Sequence, residues 1–82
     1  MPVITRFYGI VIRMYFREHG VPHFHAVYGD AVGVFKIASL SMIEGDLPLR
    51  AKRMVLAWAR RYQAELTEIW VKQEYVQLPG LE

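Results

Sequence analysis

Residues 48–72 read PLRAKRMVLAWARRYQAELTEIWVK, and this stretch decides the fold. Ala51, Met54, Val55, Trp58, Tyr62, Leu66, Ile69 and Trp70 recur at steps of three and four. That spacing brings side chains onto one face of an α-helix. The pattern predicts a long helix over about 48–72. Asp46 stands as its candidate cap, and Pro48 falls early, where a missing backbone N–H costs nothing. A lone amphipathic helix must bury its apolar stripe against a second layer, which the preceding residues have to supply.

Those residues read as strands. Val3 to Tyr8 is rich in β-branched and aromatic residues. Ile10 to Phe16 alternates, with Ile10, Ile12, Met14 and Phe16 on one side and Val11, Arg13, Tyr15 and Arg17 on the other. Tyr8-Gly9 between them suits a tight hairpin, because glycine accepts positive φ. Glu18 to Pro22 reads as a loop, His23 to Tyr28 as a third strand and Gly29-Asp30 as a turn. Val32 to Ile37 reads as a fourth strand, with a bulge or a close packing contact at Gly33. A short fifth strand is expected within residues 39–45. Short connections favour an antiparallel meander. The expected class is α+β: a curved antiparallel sheet of four to five strands over residues 3–45, one long helix (48–72) packed on one face, and a short tail (73–82).

Composition narrows the function classes. A chain of 82 residues predicts one domain. With 54% hydrophobic and 22% charged residues it is globular in character. There is no cysteine, which excludes disulfides and thiolate zinc sites. Arg6, Arg13 and Arg17 interrupt the apolar stretches, so no bilayer span is expected. The first residues lack the layout of a signal peptide. A cytoplasmic location without a membrane partner is the expectation. No glycine-rich phosphate loop and no nucleophile arrangement occurs, so no residue is assigned a catalytic role.

Two clusters remain as candidate sites. His19, His23 and His25 fall within seven positions, and His23 and His25 share a strand face. Imidazoles so spaced suit a divalent metal of the zinc or nickel type, with Glu18 or Asp30 as an oxygen ligand. The plainer reading is structural, with each ring bonded to backbone and His25, deeper in the strand, as the better candidate for that role. The second cluster is cationic. Arg50, Arg53, Arg60 and Arg61 lie on the helix face opposite its apolar stripe, with Ala57 and Ala64 between them, and Lys52 joins Arg50 and Arg53 in the first turns. Positive charge in the first turns opposes the helix dipole, which favours anions there. Phosphates or an acidic surface would use it. The plainer reading is a solvated face with pairs such as Arg61–Glu65 and Glu68–Lys72.

Met1 to Ile10 (MPVITRFYGI), then Glu18-His19-Gly20-Val21-Pro22-His23-Phe24-His25-Ala26, resembles a family of small bacterial proteins, domain of unknown function 4160. Glu44-Gly45-Asp46-Leu47-Pro48, followed by a helix carrying Trp58 and Trp70, extends the likeness over nearly the whole chain. Family members commonly read His-x-Pro-Pro-His-x-His, whereas Gly20-Val21-Pro22 fills the gap here. The resemblance implies a compact bacterial α+β domain, without an activity. It also implies gene pairs of toxin–antitoxin or regulatory type. The leading expectation is therefore a small non-enzymatic binding or regulatory module that needs no cofactor. It acts through a protein partner, with nucleic acid as a second ligand of the basic residues and self-association left open. The alternative is a metal-dependent or histidine-based hydrolase or nuclease using His19, His23 and His25.

Overall fold

The computed structural model describes residues 3–15 and 20–81. Five strands are hydrogen-bonded in chain order: β1 (Val3–Phe7), β2 (Ile10–Arg13), β3 (His23–Tyr28), β4 (Ala31–Lys36) and β5 (Met42–Gly45). Every neighbouring pair is antiparallel, so the sheet is a meander. Tyr8 and Gly9 both adopt positive φ, 47° and 81°, the backbone of the tight turn expected between β1 and β2. Phe16 lies outside the described residues.

The alternation seen in the sequence sorts the two faces. Ile10, Ile12, Phe24, Ala26 and Phe35 line up across the ladders and are all buried. Phe24 and Phe35 face each other in register with rings stacked at 5.3 Å. Gly33, opposite Ala26, marks a close contact: an added Cβ would lie 3.0 Å from Met42 Sδ and 3.1 Å from Leu47. The bulge of β4 against β5 lies beside it, between Val34 and Phe35.

The helical layer is α1 (Leu49–Lys72), which buries Ala51, Val55, Trp58, Ala59, Leu66 and Ile69. Trp58 is the centre of the core, 6.0 Å from Phe24 and 5.8 Å from Phe7 between ring centroids. Trp70, expected beside it in the core, is only half-buried. The single continuous helix expected from the spacing is corrected. Two helical segments meet at Tyr62, whose φ of −115° and ψ of 21° leave the helical region. No proline or glycine causes the break. It sits beside Gln63, whose side-chain amide donates to the carbonyls of Ile37 (2.8 Å) and Ala38 (3.0 Å). The break thus falls next to the point where the helix is tied to the turn after β4.

The cap is corrected as well. Pro48 occupies the N-cap and no side chain caps the helix. Asp46 instead spends its backbone N–H on the Val32 carbonyl, at 3.0 Å. Asp46→Ala is therefore expected to change stability by less than about 0.5 kcal/mol, whereas losing a true side-chain cap costs about 1 kcal/mol. Thermal melts of the variant check this.

The tail does not trail off. It returns along the outer edge of β1, where the Leu78 N–H donates to the Ile4 carbonyl at 2.9 Å. The Trp58 indole donates to the Pro79 carbonyl at 2.8 Å. Gly80 fits against Phe7 because it lacks a side chain; a Cβ would stand 2.9 Å from the Phe7 Cβ.

Candidate functional site

The helix start places the cationic cluster. The first helical bond runs from the Lys52 N–H to the Pro48 carbonyl, and the first turn contains no acidic residue. Among the described residues no side chain caps the N-terminus of α1, and no acid of its own first turn offsets the positive end of the helix dipole. Arg50 and Arg53 are exposed there, and Lys52 is half-buried. Arg60 and Arg61 continue the exposed face, with Ala57 between the charges and Ala64 just beyond them. The spacing makes this one stripe, and from Arg50 to Arg61 it runs about 16 Å.

The negative charges lie further along the same helix. Glu65 and Glu68 are exposed. Glu68 accepts from Lys72 Nζ at 2.8 Å, which is the i,i+4 pair expected from the sequence. That hydrogen bond, with the attraction of opposite charges, lowers the Glu68 carboxyl and raises the Lys72 ammonium from their ordinary values. Both side chains are exposed, so the pair adds little to stability. The other expected pair, Arg61–Glu65, is not among the ion pairs of the described residues. The Arg61 guanidinium lies over the Tyr62 ring instead, 5.9 Å from its centroid. A cleft of about 130 Å³ opens between the end of α1 and the tail, with Glu65, Glu68 and Glu74 on its wall and Ile69, Val76 and Leu78 beneath.

The histidines are divided by the structure. His23 and His25 lie on β3 with ring centroids 5.5 Å apart, as the two-residue spacing predicts. His23 is fixed to backbone. His23 is buried, and its Nδ1–H donates to the Val21 carbonyl at 2.7 Å. Its ring also lies 5.1 Å from Trp70, so the end of α1 closes over the start of β3. His25 is half-buried and meets the edge of Tyr15 at 4.7 Å. Trp70, His23, His25 and Tyr15 thus form a chain of touching rings from the helix to the outer sheet face. Sequence reasoning missed it, because it depends on where Trp70 lands.

His19 and Glu18 lie outside the described residues. Asp30 is ruled out as a ligand partner: it follows the far end of β3, roughly 20 Å along the strand from His23. Among the described residues no group of three His, Cys, Asp or Glu side chains converges on one point. Also among them, no helix is long and apolar enough to cross a membrane.

One family has a model that matches this chain, over residues 9–71, and its description is Domain of unknown function (DUF4160). No curated protein and no solved structure matches.

Proposed function

We propose that this chain, which belongs to the DUF4160 family, is a small non-enzymatic binding module whose working surface is the cationic stripe of α1. Its ligand is polyanionic: the acidic surface of a protein partner or the phosphates of a nucleic acid. The role suits one half of a regulatory, toxin–antitoxin-like gene pair in the bacterial cytoplasm, as the sequence resemblance implies. The observation that carries the reading is the exposure of Arg50, Arg53, Arg60 and Arg61 on one stripe that begins at an uncapped helix N-terminus. Among the described residues no carboxylate forms an ion pair with these arginines, so their charge is available to a ligand. The helix dipole adds to that field rather than offsetting it.

The test is binding of a short single-stranded RNA, a DNA duplex and polyglutamate, each at low and moderate salt. The wild type is expected to bind at least one of them, with affinity falling steeply as salt rises. Arg53→Glu combined with Arg60→Glu should weaken binding by roughly tenfold or more, since each reversal removes one attraction and adds one repulsion. Both side chains are exposed, so circular dichroism should show an unchanged fold. Failure of all three probes at low salt would overturn the reading and leave the stripe as a solvated surface.

A further inference from the structure

The order of charges along α1 has a property that no single residue carries. On the exposed stripe the helix runs from positive to negative: Arg50 and Arg53, then Ala57, Arg60 and Arg61, then Ala64, Glu65 and Glu68. Read backwards, the same stripe runs from negative to positive. It is therefore complementary to itself in the antiparallel direction, which is the arrangement that a twofold axis generates. We propose that a second copy of this chain docks on α1 in that antiparallel sense, forming a weak twofold dimer. The proposal shares a surface with the polyanion reading but does not depend on it.

The register follows from the positions. With the axis at the level of Ala59, Arg50 faces Glu68 of the second copy and Arg53 faces Glu65, and symmetry repeats both pairs. The ends of the stripe agree. Leu49 is 61% exposed and Val71 is 71% exposed, and both are large apolar side chains in water. In this register Leu49 of one copy comes beside Val71 of the other, so each end of the contact gains an apolar patch. Ala57, at the middle of the stripe, keeps no bulk near the axis. Glu65 and Glu68 stand on the wall of the cleft above Val76 and Leu78. That apolar floor suits the aliphatic stem of an incoming arginine.

Arg60 and Arg61 bring like charges near the axis, and this holds the affinity down. They point to opposite flanks of the stripe, and Arg61 is drawn aside over Tyr62. Lys72 competes weakly for Glu68. Exposed ion pairs contribute little each, so the expected dissociation constant is roughly 0.1–1 mM at low salt.

Sedimentation equilibrium near 1 mM protein tests it, in about 20 mM and about 500 mM salt, where the Debye lengths differ severalfold. A dimer at low salt that dissociates at high salt is expected. Arg53→Glu and Glu65→Arg should each weaken it by roughly tenfold, because symmetry makes each change count twice. The double variant should restore it. Within one chain these two side chains stand about 18 Å apart along the helix, so restoration arises only between copies. A wild type that stays monomeric at low salt overturns the proposal. So does a dimer indifferent to either single variant, or a double variant that fails to recover. Polyanion binding is measured at high dilution, where the chain is monomeric, so its failure and that of the dimer are read separately.

Discussion

Trp58→Ala is expected to lower the unfolding free energy by about 3–5 kcal/mol. Trp58 is fully buried and is the largest such side chain in the core. Its ring lies 5.8 Å from Phe7 on β1, 6.0 Å from Phe24 on β3 and 5.7 Å from Tyr62 on its own helix. Truncation removes that apolar area from burial and leaves a cavity that neighbours on separate elements cannot close together. It also strips the Pro79 carbonyl of its indole donor. A domain of this length holds only about 4–12 kcal/mol in total, so the variant should sit near its unfolding midpoint in mild denaturant. Trp58→Phe separates the two contributions, since it keeps an aromatic ring and loses the indole N–H, a difference of roughly 1 kcal/mol from the hydrogen bond. Denaturant melts decide the matter. A loss below about 1 kcal/mol for Trp58→Ala would mean that the helix is not held through this residue.

Gly45→Ala should destabilise by roughly 2–4 kcal/mol, a large effect for one methyl group on an edge strand. Gly45 has φ of 82°, where a side chain strains its own backbone. A Cβ there would also stand 2.1 Å from the Val32 carbonyl oxygen. The obstacle is backbone, so no rotamer change relieves it. Val32 cannot retreat without losing the bond that its carbonyl accepts from the Asp46 N–H. The next residue, Leu47, is buried and leads directly into α1, so the disturbance passes into the core. Gly29→Ala serves as the control. Gly29 also has positive φ, but an added Cβ meets nothing within 4 Å, so only backbone strain of about 1 kcal/mol should appear. Equal losses at the two positions would contradict the steric account.

The contrast between these glycines shows which parts of the fold were legible beforehand. Tyr8-Gly9 declared a hairpin by composition alone, because a short-range rule ties positive φ to tight turns. The alternation from Ile10 onward and the three–four spacing from Ala51 onward placed the sheet and the helical layer, since both periods come from local geometry. The clearance around Gly45 was invisible, because it depends on a neighbouring strand. Asp46 looked like a cap by residue type, yet the chain needs its backbone elsewhere. Tyr62 fits the helical stripe, and nothing in the spacing marks the break there or the bonds of Gln63 to the turn after β4. The candidate sites divide in the same way. The arginine stripe followed from helix periodicity. The burial of His23 beside Trp70 did not, because a two-residue period assigns a side of the strand and says nothing of what covers it.

The strap that the tail lays over β1 has a consequence for how the protein is made. Its bonds join Leu78 to Ile4 and Pro79 to Trp58, so their loop-closure entropy must be met late in folding. During synthesis β1 emerges before the strap that covers it. Ile4 and Leu78 are separated by 74 positions, which at typical synthesis rates is about 4–15 s. Through that interval the outer edge of β1 carries unpaired backbone groups, and neighbouring chains on a crowded polysome can pair with it. Emergence of the strap, rather than formation of the sheet, is the event that closes this edge to aggregation.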